Sequence, residues 1–225
     1  MKIENSNHNN IYFLWSGKRK LILTKNLTPG RKFFNEDLIN EENTEYRVFD
    51  PTRSKYAAAI MQKISKLPVK EDDIILYLGA SHGYTCSYLS DIIGINGFIF
   101  ALDIAPRVVR DLVKVCEIRN NICPLLYDAN KPELYKDKIA KADVVYQDIA
   151  QRNQVEIFLK NIDLFLRNNG YCLLAVKSRS IDVTKDPKQI YDIVKNKLIS
   201  KLKIIDYKVL DPFQRDHCLF VCQKR

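Results

Sequence analysis

The sequence contains no apolar run that approaches the roughly 20 residues needed to span a bilayer. Its first ten residues, MKIENSNHNN, are polar and lack the apolar core of a signal peptide. Low-complexity segments and internal repeats are also missing. We therefore expect a cytoplasmic protein with no membrane partner.

Cysteine is present, but not in the spacing that metal sites use. The six cysteines include no C-x-x-C pair, and most of them stand among apolar neighbours. Buried reduced thiols are therefore predicted in preference to disulfides or a zinc site.

Glycine is scarce, with only seven in the chain. In YLGASHGYTCSYLSD, residues 77–91, Gly79 and Gly83 do not complete the three-glycine dinucleotide fingerprint. The apolar run before them predicts a strand that ends in a tight turn and opens a helix. The glycine pattern alone leaves open which nucleotide, if any, this turn binds.

The sequence has an excess of positively charged residues. Its 36 lysines and arginines outnumber 27 aspartates and glutamates, which gives a formal net charge of +9 and a pI of about 9.2. Such an excess favours a polyanion partner such as RNA or DNA. A lysine-rich solvated surface explains the charge equally well, so charge alone does not decide.

The first fifty residues have a β-rich pattern. Two β-rich runs on either side of Ser16-Gly17 predict a hairpin, and a further extended segment follows. From Ser54 the pattern becomes helical, with Ser54 as a predicted N-cap. We therefore predict a small N-terminal β-rich domain, residues 1–53, and a larger domain, residues 54–225.

Strands and helices alternate in the larger domain. Predicted strands are 73–80, 97–104, 123–129, 143–151, 171–178, 203–211 and 217–224, and predicted helices are 54–66, 84–93, 106–118, 154–167 and 186–200. This alternation predicts an α/β fold, a mostly parallel sheet with helices on both faces. The last two strands are expected to pair as an antiparallel hairpin at the edge. Asn169-Gly170 is predicted to close the fourth helix.

Acidic residues follow three successive predicted strands. Asp103, Asp128 and Asp148 each stand where a strand ends, and open parallel sheets bind ligands beyond these ends. Carboxylates suit a ligand with ribose hydroxyls, an exocyclic amine and a positive charge, and they suit a pyrophosphate badly. The pattern therefore favours S-adenosylmethionine over NAD. In the alternative interpretation, each aspartate only caps the helix that follows it.

A second group of residues near the same strand ends is basic. Arg53 and Lys55 precede the first helix, Lys177 ends an apolar strand, and His217 lies in the last strand. A charged amine beside a buried strand is costly unless it is paired, so Asp148 is the expected partner of Lys177. The alternatives are a solvated surface charge for each lysine and a satisfied core residue for the histidine.

Six longer motifs occur in the order seen in one protein family. They are DPTRSKYAAAI, YLGASHGYT, ALDIAPRVVRDL, VVYQDIAQRNQ, AVKSRSIDVT and LDPFQRDHCLFV. With these motifs the chain resembles, over nearly its whole length, the archaeal fibrillarin-like RNA 2′-O-methyltransferases of the fibrillarin family. The resemblance implies a Rossmann-like S-adenosylmethionine-dependent methyltransferase sheet and a small N-terminal β-rich domain. It also implies guide-RNA-directed 2′-O-methylation of ribose in rRNA and tRNA.

The resemblance assigns roles to the residues that match its motifs. The implied catalytic set is Lys55, Asp148, Lys177 and His217. The implied cofactor contacts are Tyr84, Thr85, Asp103, Ile104, Asp128, Ala129, Asp148, Ile149, Ala150 and Gln151, with Gly79, Ala80 and Gly83 shaping the turn. The implied partners are a box C/D guide RNA, the substrate rRNA or tRNA, a Nop-family scaffold protein and a kink-turn-binding protein of ribosomal type.

Two positions depart from the family's pattern. Tyr84-Thr85 stands where family sequences commonly have two threonines, which changes the expected wall around the methionine moiety. Asp103 stands where they have a glutamate, which shortens the carboxylate by one methylene and keeps its chemistry.

The expected reaction is the in-line attack of a ribose hydroxyl on a sulfonium methyl, which requires alignment and removal of a proton. Lys177 is predicted to orient or deprotonate the 2′-hydroxyl, and His217 is predicted to position the ribose or a lysine. Which of the two lysines is neutral stays open.

One alternative function is that of a guide-independent 2′-O-methyltransferase of the heat-shock rRNA type, which has a similar set but glutamate at the position of His217. The other is a non-catalytic structural RNP subunit, which would not need both lysines together with Asp148.

Overall fold

The structure is a computed structural model that describes residues 2–225. Its N-terminal part is a five-stranded antiparallel sheet with the strand order β1-β2-β3-β5-β4. The strands are β1 Ile3–Asn5, β2 Ile11–Ser16, β3 Arg19–Lys25, β4 Leu38–Glu41 and β5 Thr44–Val48. The predicted hairpin is confirmed, because β2 and β3 pair up to Ser16 and Arg19 on either side of the turn.

A seven-stranded sheet follows, with the order β11-β12-β10-β9-β6-β7-β8. Its strands are β6 Ile74–Leu78, β7 Phe98–Asp103, β8 Ile122–Leu126, β9 Ala142–Gln147, β10 Leu166–Lys177, β11 Leu202–Val209 and β12 His217–Lys224. The strands from β8 across to β10 are parallel, and β12 is antiparallel to both β10 and β11. The α/β fold and the antiparallel hairpin at the edge are therefore confirmed.

Helices cover both faces of this sheet. They are α1 Lys55–Met61, α2 Tyr84–Ile93, α3 Pro106–Cys116, α4 Gln154–Phe165, α5 Ser178–Ile181 and α6 Pro187–Ile199. Alternate residues of a strand point to opposite faces, so Tyr77 lies in a buried cluster with residues of α1, α2 and α3, while Leu76 lies in a second cluster with residues of α4 and α6. No helix within residues 2–225 is long and apolar enough to cross a bilayer.

Two predicted helix ends differ from the structure. Ser54 caps α1 as predicted, but the helix ends at Met61 and not at residue 66. It ends there because Lys63 adopts a left-handed φ of 56° and the Ile64 N–H donates to the Ala59 carbonyl at 3.0 Å. The chain leaves α4 at Leu166, whose backbone is already extended and pairs with β9. Asn169-Gly170 therefore lies within β10, at an irregularity in its pairing, and the prediction that it closes the helix is wrong.

A buried ionic cluster joins the N-terminal sheet to the larger one. Arg47 on β5 pairs with Glu36 at 2.7 Å and with Asp91 on α2 at 2.8 Å, and Arg119 pairs with Asp91 at 2.7 Å. All four side chains are almost completely buried. The division of the chain at residues 53 and 54 into two domains stays a prediction.

Candidate active site

The carboxyl ends of four parallel strands meet at one cavity. The strand order reverses between β6 and β9, which is where open α/β sheets bind ligands. A cavity of about 200 Å³ lies at this point. Its lining is Gly79, Leu102, Asp103, Ile104, Tyr127, Asp128, Ala129, Asp148, Ile149, Ala150 and Gln151. The structure thus brings the three aspartates of the sequence pattern into one site.

The lining differs in part from the predicted set of cofactor residues. Four predicted residues do not line the cavity: Ala80, Gly83, Tyr84 and Thr85. Two residues line it that sequence reasoning missed, Leu102 and Tyr127. Tyr127 could have been predicted from the sequence, because an aromatic side chain directly before a strand-end aspartate can pack against the base of a nucleoside. Leu102 carried no signal beyond its place before Asp103.

The turn after β6 depends on Gly79. Its φ is +82°, and a Cβ there would lie 2.3 Å from the backbone oxygen of Asp148. The N–H groups of Gly79 and Ala80 both donate to the Leu102 carbonyl, at 2.8 and 3.0 Å. The turn is therefore held between the ends of β7 and β9, and only glycine fits at this position.

Asp103 accepts hydrogen bonds from two backbone N–H groups and also lines the cavity. One carboxylate oxygen accepts from the Ser81 N–H at 2.9 Å, and the other accepts from the Ala105 N–H at 3.0 Å. Each oxygen has further acceptor capacity, so the same carboxylate can also accept from ribose hydroxyls. Neither contact caps α3, whose N-cap is Ala105 without a side-chain hydrogen bond, so the structure does not support the interpretation that Asp103 only caps the following helix.

A polar network joins the ends of β8 and β9. Asp128 accepts from the backbone N–H of Asn130 at 2.9 Å and from its side-chain amide at 3.1 Å. The same amide donates to Gln151 Oε1 at 2.9 Å, and Asn153 donates to Asn130 Oδ1 at 2.7 Å. The network fixes two walls of the cavity and leaves the second oxygen of Asp128 free to accept from an amine.

Tyr84 and Thr85 connect neighbouring elements to the glycine turn. The Tyr84 hydroxyl accepts from the Asp50 N–H at 3.2 Å, and its ring contacts Phe34 edge-on, with centroids 5.2 Å apart. Thr85 donates to Ser54 Oγ, the N-cap of α1, at 3.0 Å. These contacts tie the turn to the loops around Phe34 and Asp50 and to the N-terminus of α1, and the cofactor contacts of Tyr84 and Thr85 stay a prediction.

Asp148 forms an ion pair with Lys55. Lys55 Nζ lies 2.8 Å from Asp148 Oδ2, and both side chains are about one-fifth exposed. Lys177 takes part in none of the ion pairs that residues 2–225 form. The prediction that Lys177 pairs with Asp148 is therefore wrong: Lys55, the first residue of α1, reaches the carboxylate, and Lys177 is left exposed at the end of β10.

His217 lies opposite Lys177 in the pairing of β10 with β12. Its Nδ1 is 2.6 Å from the Arg215 carbonyl, and because a carbonyl only accepts, Nδ1 carries the proton and Nε2 presents a lone pair. Burial lowers the pKa of His217, and the ammonium groups of Lys55 and Lys177 lower it further, against the Arg215 carbonyl and Asp148. The imidazole is therefore neutral at pH 7.

The site combines a cavity rich in carboxylates with two amines and a neutral imidazole. Among residues 2–225 no cluster of three or more histidine, cysteine, aspartate or glutamate side chains is arranged to hold a metal ion. The acidic lining suits a ligand that carries hydroxyls, an amine and a positive charge. The amines beside it can orient a hydroxyl and accept its proton.

Comparison with known proteins gives full-length matches. The sequence model described as Fibrillarin matches residues 3–225. A relative from Thermococcus onnurineus (strain NA1), named fibrillarin-like rRNA/tRNA 2′-O-methyltransferase, is 43% identical over 225 residues and 100% of both chains. The structure of Aeropyrum pernix fibrillarin with natively bound S-adenosyl-L-methionine is similar with a TM-score of 0.91 and 41% identity, covering 99% of this chain and 98% of that one. A chain of a fibrillarin/Nop5p complex is similar with a TM-score of 0.89 and 34% identity, covering 98% and 100%.

Proposed function

The chain belongs to the fibrillarin family, and from this premise we propose that it methylates ribose 2′-hydroxyls of rRNA and tRNA at positions chosen by a box C/D guide RNA. Its class is that of an RNA 2′-O-methyltransferase with S-adenosylmethionine as cofactor. The observation that carries the proposal is the Lys55–Asp148 ion pair at the rim of a cavity lined by Asp103 and Asp128. This arrangement brings groups that can accept or donate a proton next to a cavity whose lining suits a cationic nucleoside.

The cavity residues fit the cofactor by their chemistry. Asp103 is suited to accept from the ribose hydroxyls, and the free oxygen of Asp128 is suited to accept from the exocyclic amine of adenine. The carboxylates also complement a positive charge. When bound, S-adenosylmethionine supplies a methyl carbon that its sulfonium has already activated.

The residues of the chain align the ribose and remove its proton. As the 2′-oxygen bonds to the methyl carbon and the carbon–sulfur bond breaks, the hydroxyl proton must leave. Lys177, which has no carboxylate partner among residues 2–225, orients this hydroxyl or takes its proton. Asp148 holds Lys55 in place, and His217 positions the ribose or a lysine through the free Nε2.

Assembly with partners completes the proposal. One structural neighbour is part of a fibrillarin/Nop5p complex, which supports a Nop-family scaffold protein as the direct partner of this chain. We propose that the guide RNA and a kink-turn-binding protein of ribosomal type belong to the same particle. In such a particle base pairing with the guide chooses the target, and the chain supplies the chemistry.

The proposal predicts different behaviour for the lone chain and the particle. The purified protein should bind S-adenosylmethionine, as calorimetry can measure, and should transfer labelled methyl to RNA only weakly. Addition of guide RNA and the two partner proteins should switch transfer on. Efficient, sequence-selective methylation by the lone chain would contradict the proposal and favour a guide-independent 2′-O-methyltransferase.

A further inference from the structure

Two exposed arginines lie close in sequence to the reacting groups and have no carboxylate partner. Arg53 comes two residues before Lys55, and Arg215 comes two residues before His217. Neither side chain takes part in any ion pair that residues 2–225 form, whereas Arg179 on α5 is already paired with Asp216. Exposed guanidinium groups of this kind are free to bind an external anion.

Arg53 is held in one orientation. Its Cζ lies 4.1 Å from the centroid of the Tyr84 ring, a cation–π stacking distance. Its Nη1 donates to the Phe34 carbonyl at 2.8 Å. The stacking covers one face of the guanidinium and the hydrogen bond uses one donor, so most of its N–H groups stay available. A guanidinium fixed in this way loses little freedom when it binds a ligand.

The loops that carry the two arginines are joined to each other. Gln214 Nε2 donates to the Pro51 carbonyl at 3.2 Å, which links the loop before α1 to the loop before β12. The carbonyl of Arg215 accepts from Nδ1 of His217 at 2.6 Å. The backbone segments that carry the two arginines are thus joined to each other and to His217.

We propose that Arg53 and Arg215 bind the phosphates that flank the target ribose in the substrate RNA. This inference rests on the proposed function, because it requires a ribose 2′-hydroxyl at Lys177. In RNA the 2′-hydroxyl is next to the phosphate of its own 3′-oxygen, so a chain that holds the hydroxyl also meets the adjoining backbone. The planar guanidinium matches phosphate oxygens with two parallel hydrogen bonds.

The orientation of Arg53 depends on its stacking on Tyr84. A threonine in place of the tyrosine would offer no ring for the guanidinium to stack on. The tyrosine therefore has a role outside the cofactor cavity, in fixing the arginine that faces the RNA. We expect Tyr84→Thr to weaken RNA binding.

The test pairs arginine variants with neutral phosphates in the assembled particle. Substrate RNAs carry a methylphosphonate in place of the phosphate on the 5′ or the 3′ side of the target nucleotide. The substrate concentration for half-maximal single-turnover transfer is measured for the wild-type protein, Arg53→Ala, Arg53→Lys, Arg215→Ala and the control Arg19→Ala, an exposed arginine of the β2–β3 hairpin.

Each arginine-to-alanine change at the site should raise this concentration about tenfold, the order expected for a lost charged hydrogen bond. For each alanine variant, one of the two methylphosphonates, the one that replaces the phosphate contacted by the missing arginine, should not raise this concentration further. Arg53→Lys should recover only part of the affinity, and Arg19→Ala should have no effect on transfer.

If the loss caused by an arginine substitution and the loss caused by a methylphosphonate multiply in full at both phosphate positions, that arginine contacts neither phosphate. This result would overturn the phosphate contact and leave the methyltransferase assignment intact. A wild-type particle that transfers no methyl to native RNA would instead overturn the proposed function, and the phosphate contact with it.

Discussion

Lys55 and Lys177 stand in different relations to Asp148. Lys55 forms the ion pair at 2.8 Å, so its removal leaves a partly buried carboxylate without its counter-ion. Lys177 is held by the backbone of β10, and its amine forms no ion pair within the described chain. The structure therefore separates a lysine that stabilises the site from one that is available to act on substrate.

Lys177→Ala should leave the melting temperature and the cofactor affinity unchanged, because no ion pair is lost. The single-turnover rate should fall about a hundredfold or more, the range for a lost base or orienting group. All three quantities are measured on this one variant. Lys55→Ala is the matched control and should lower stability as well. A Lys177 variant that melts early yet transfers methyl at the normal rate would contradict the catalytic assignment.

Asp103→Ala should weaken binding of S-adenosylmethionine by about 1–3 kcal/mol, because ribose hydroxyls lose their acceptor. The structure adds a second effect, since the N–H groups of Ser81 and Ala105 lose their acceptor as well. Asp103→Asn keeps one oxygen and is expected to lose less affinity than the alanine variant. Calorimetry measures both, and unchanged affinity in the alanine variant would place the adenosine elsewhere.

The sequence located the acidic side of the site better than its basic side. Asp103, Asp128 and Asp148 were found because each follows a strand, and the topology of a parallel sheet brings strand ends together. Which lysine pairs with Asp148 depends on the distance between the start of α1 and the end of β9, and the spacing of residues in the sequence does not reveal this distance. Tyr84 follows the turn in the sequence, yet its ring contacts Phe34 in the loop between β3 and β4.

The end of β10 and the start of α4 are joined by Gln154, the first residue of α4. Its Oε1 accepts from the backbone N–H of Lys177 at 3.2 Å, and its Nε2 donates to the carbonyls of Lys177 at 3.4 Å and Gln151 at 2.9 Å. The side chain is completely buried. It thereby fixes the backbone of Lys177 relative to the cavity wall that Gln151 forms.

Gln154→Leu should lower the free energy of unfolding by about 1–3 kcal/mol, because backbone groups that it bonded are left buried and unpaired. In folded protein the transfer rate should also fall, while the cofactor affinity changes less. The exposed Gln189→Leu on α6 is the control. Denaturant unfolding and single-turnover transfer measure both effects, and a fully active Gln154→Leu variant would exclude this positioning.

Periodicity and turn residues predicted where most elements lie but not where two helices end. Helix α1 stops early because Lys63 adopts a left-handed conformation, and lysine gives no sign of it. Helix α4 stops at Leu166 because that side chain is buried on an extended backbone and pairs with Ala142 on β9. Both ends are decided by tertiary contacts, which a local pattern does not contain.

Across the molecule, the cluster of Glu36, Arg47, Asp91 and Arg119 makes the N-terminal sheet and the larger sheet depend on each other. Burial alone would raise the pKa of Glu36, but the charge of Arg47 and hydrogen bonds from backbone N–H groups outweigh it, so the pKa lies below the ordinary glutamate value of 4.5. The ionised carboxylate therefore stabilises the folded state above that value. This contribution is lost as the pH falls through the lower pKa of the folded state.

Stability should accordingly decrease in acid more steeply for the wild-type protein than for Glu36→Gln, which carries no titrating group at this position. The variant is expected to be less stable at neutral pH, because Arg47 loses one of its charged partners. Melting temperatures between about pH 3 and 7 measure the difference. Glu117→Gln, an exposed change on the same chain, is the control. Parallel acid profiles for the wild type and Glu36→Gln would contradict the role of this ion pair.

The most direct test of the whole account is a guide exchange in the assembled particle. Two guide RNAs that pair with different segments are combined in turn with the chain, its partner proteins, labelled S-adenosylmethionine and one substrate RNA that contains both segments. The account predicts that the label moves with the guide, appears on a ribose 2′-oxygen and disappears when Lys177 is replaced by alanine. Labelling of the same nucleotide with either guide, or without one, would contradict it.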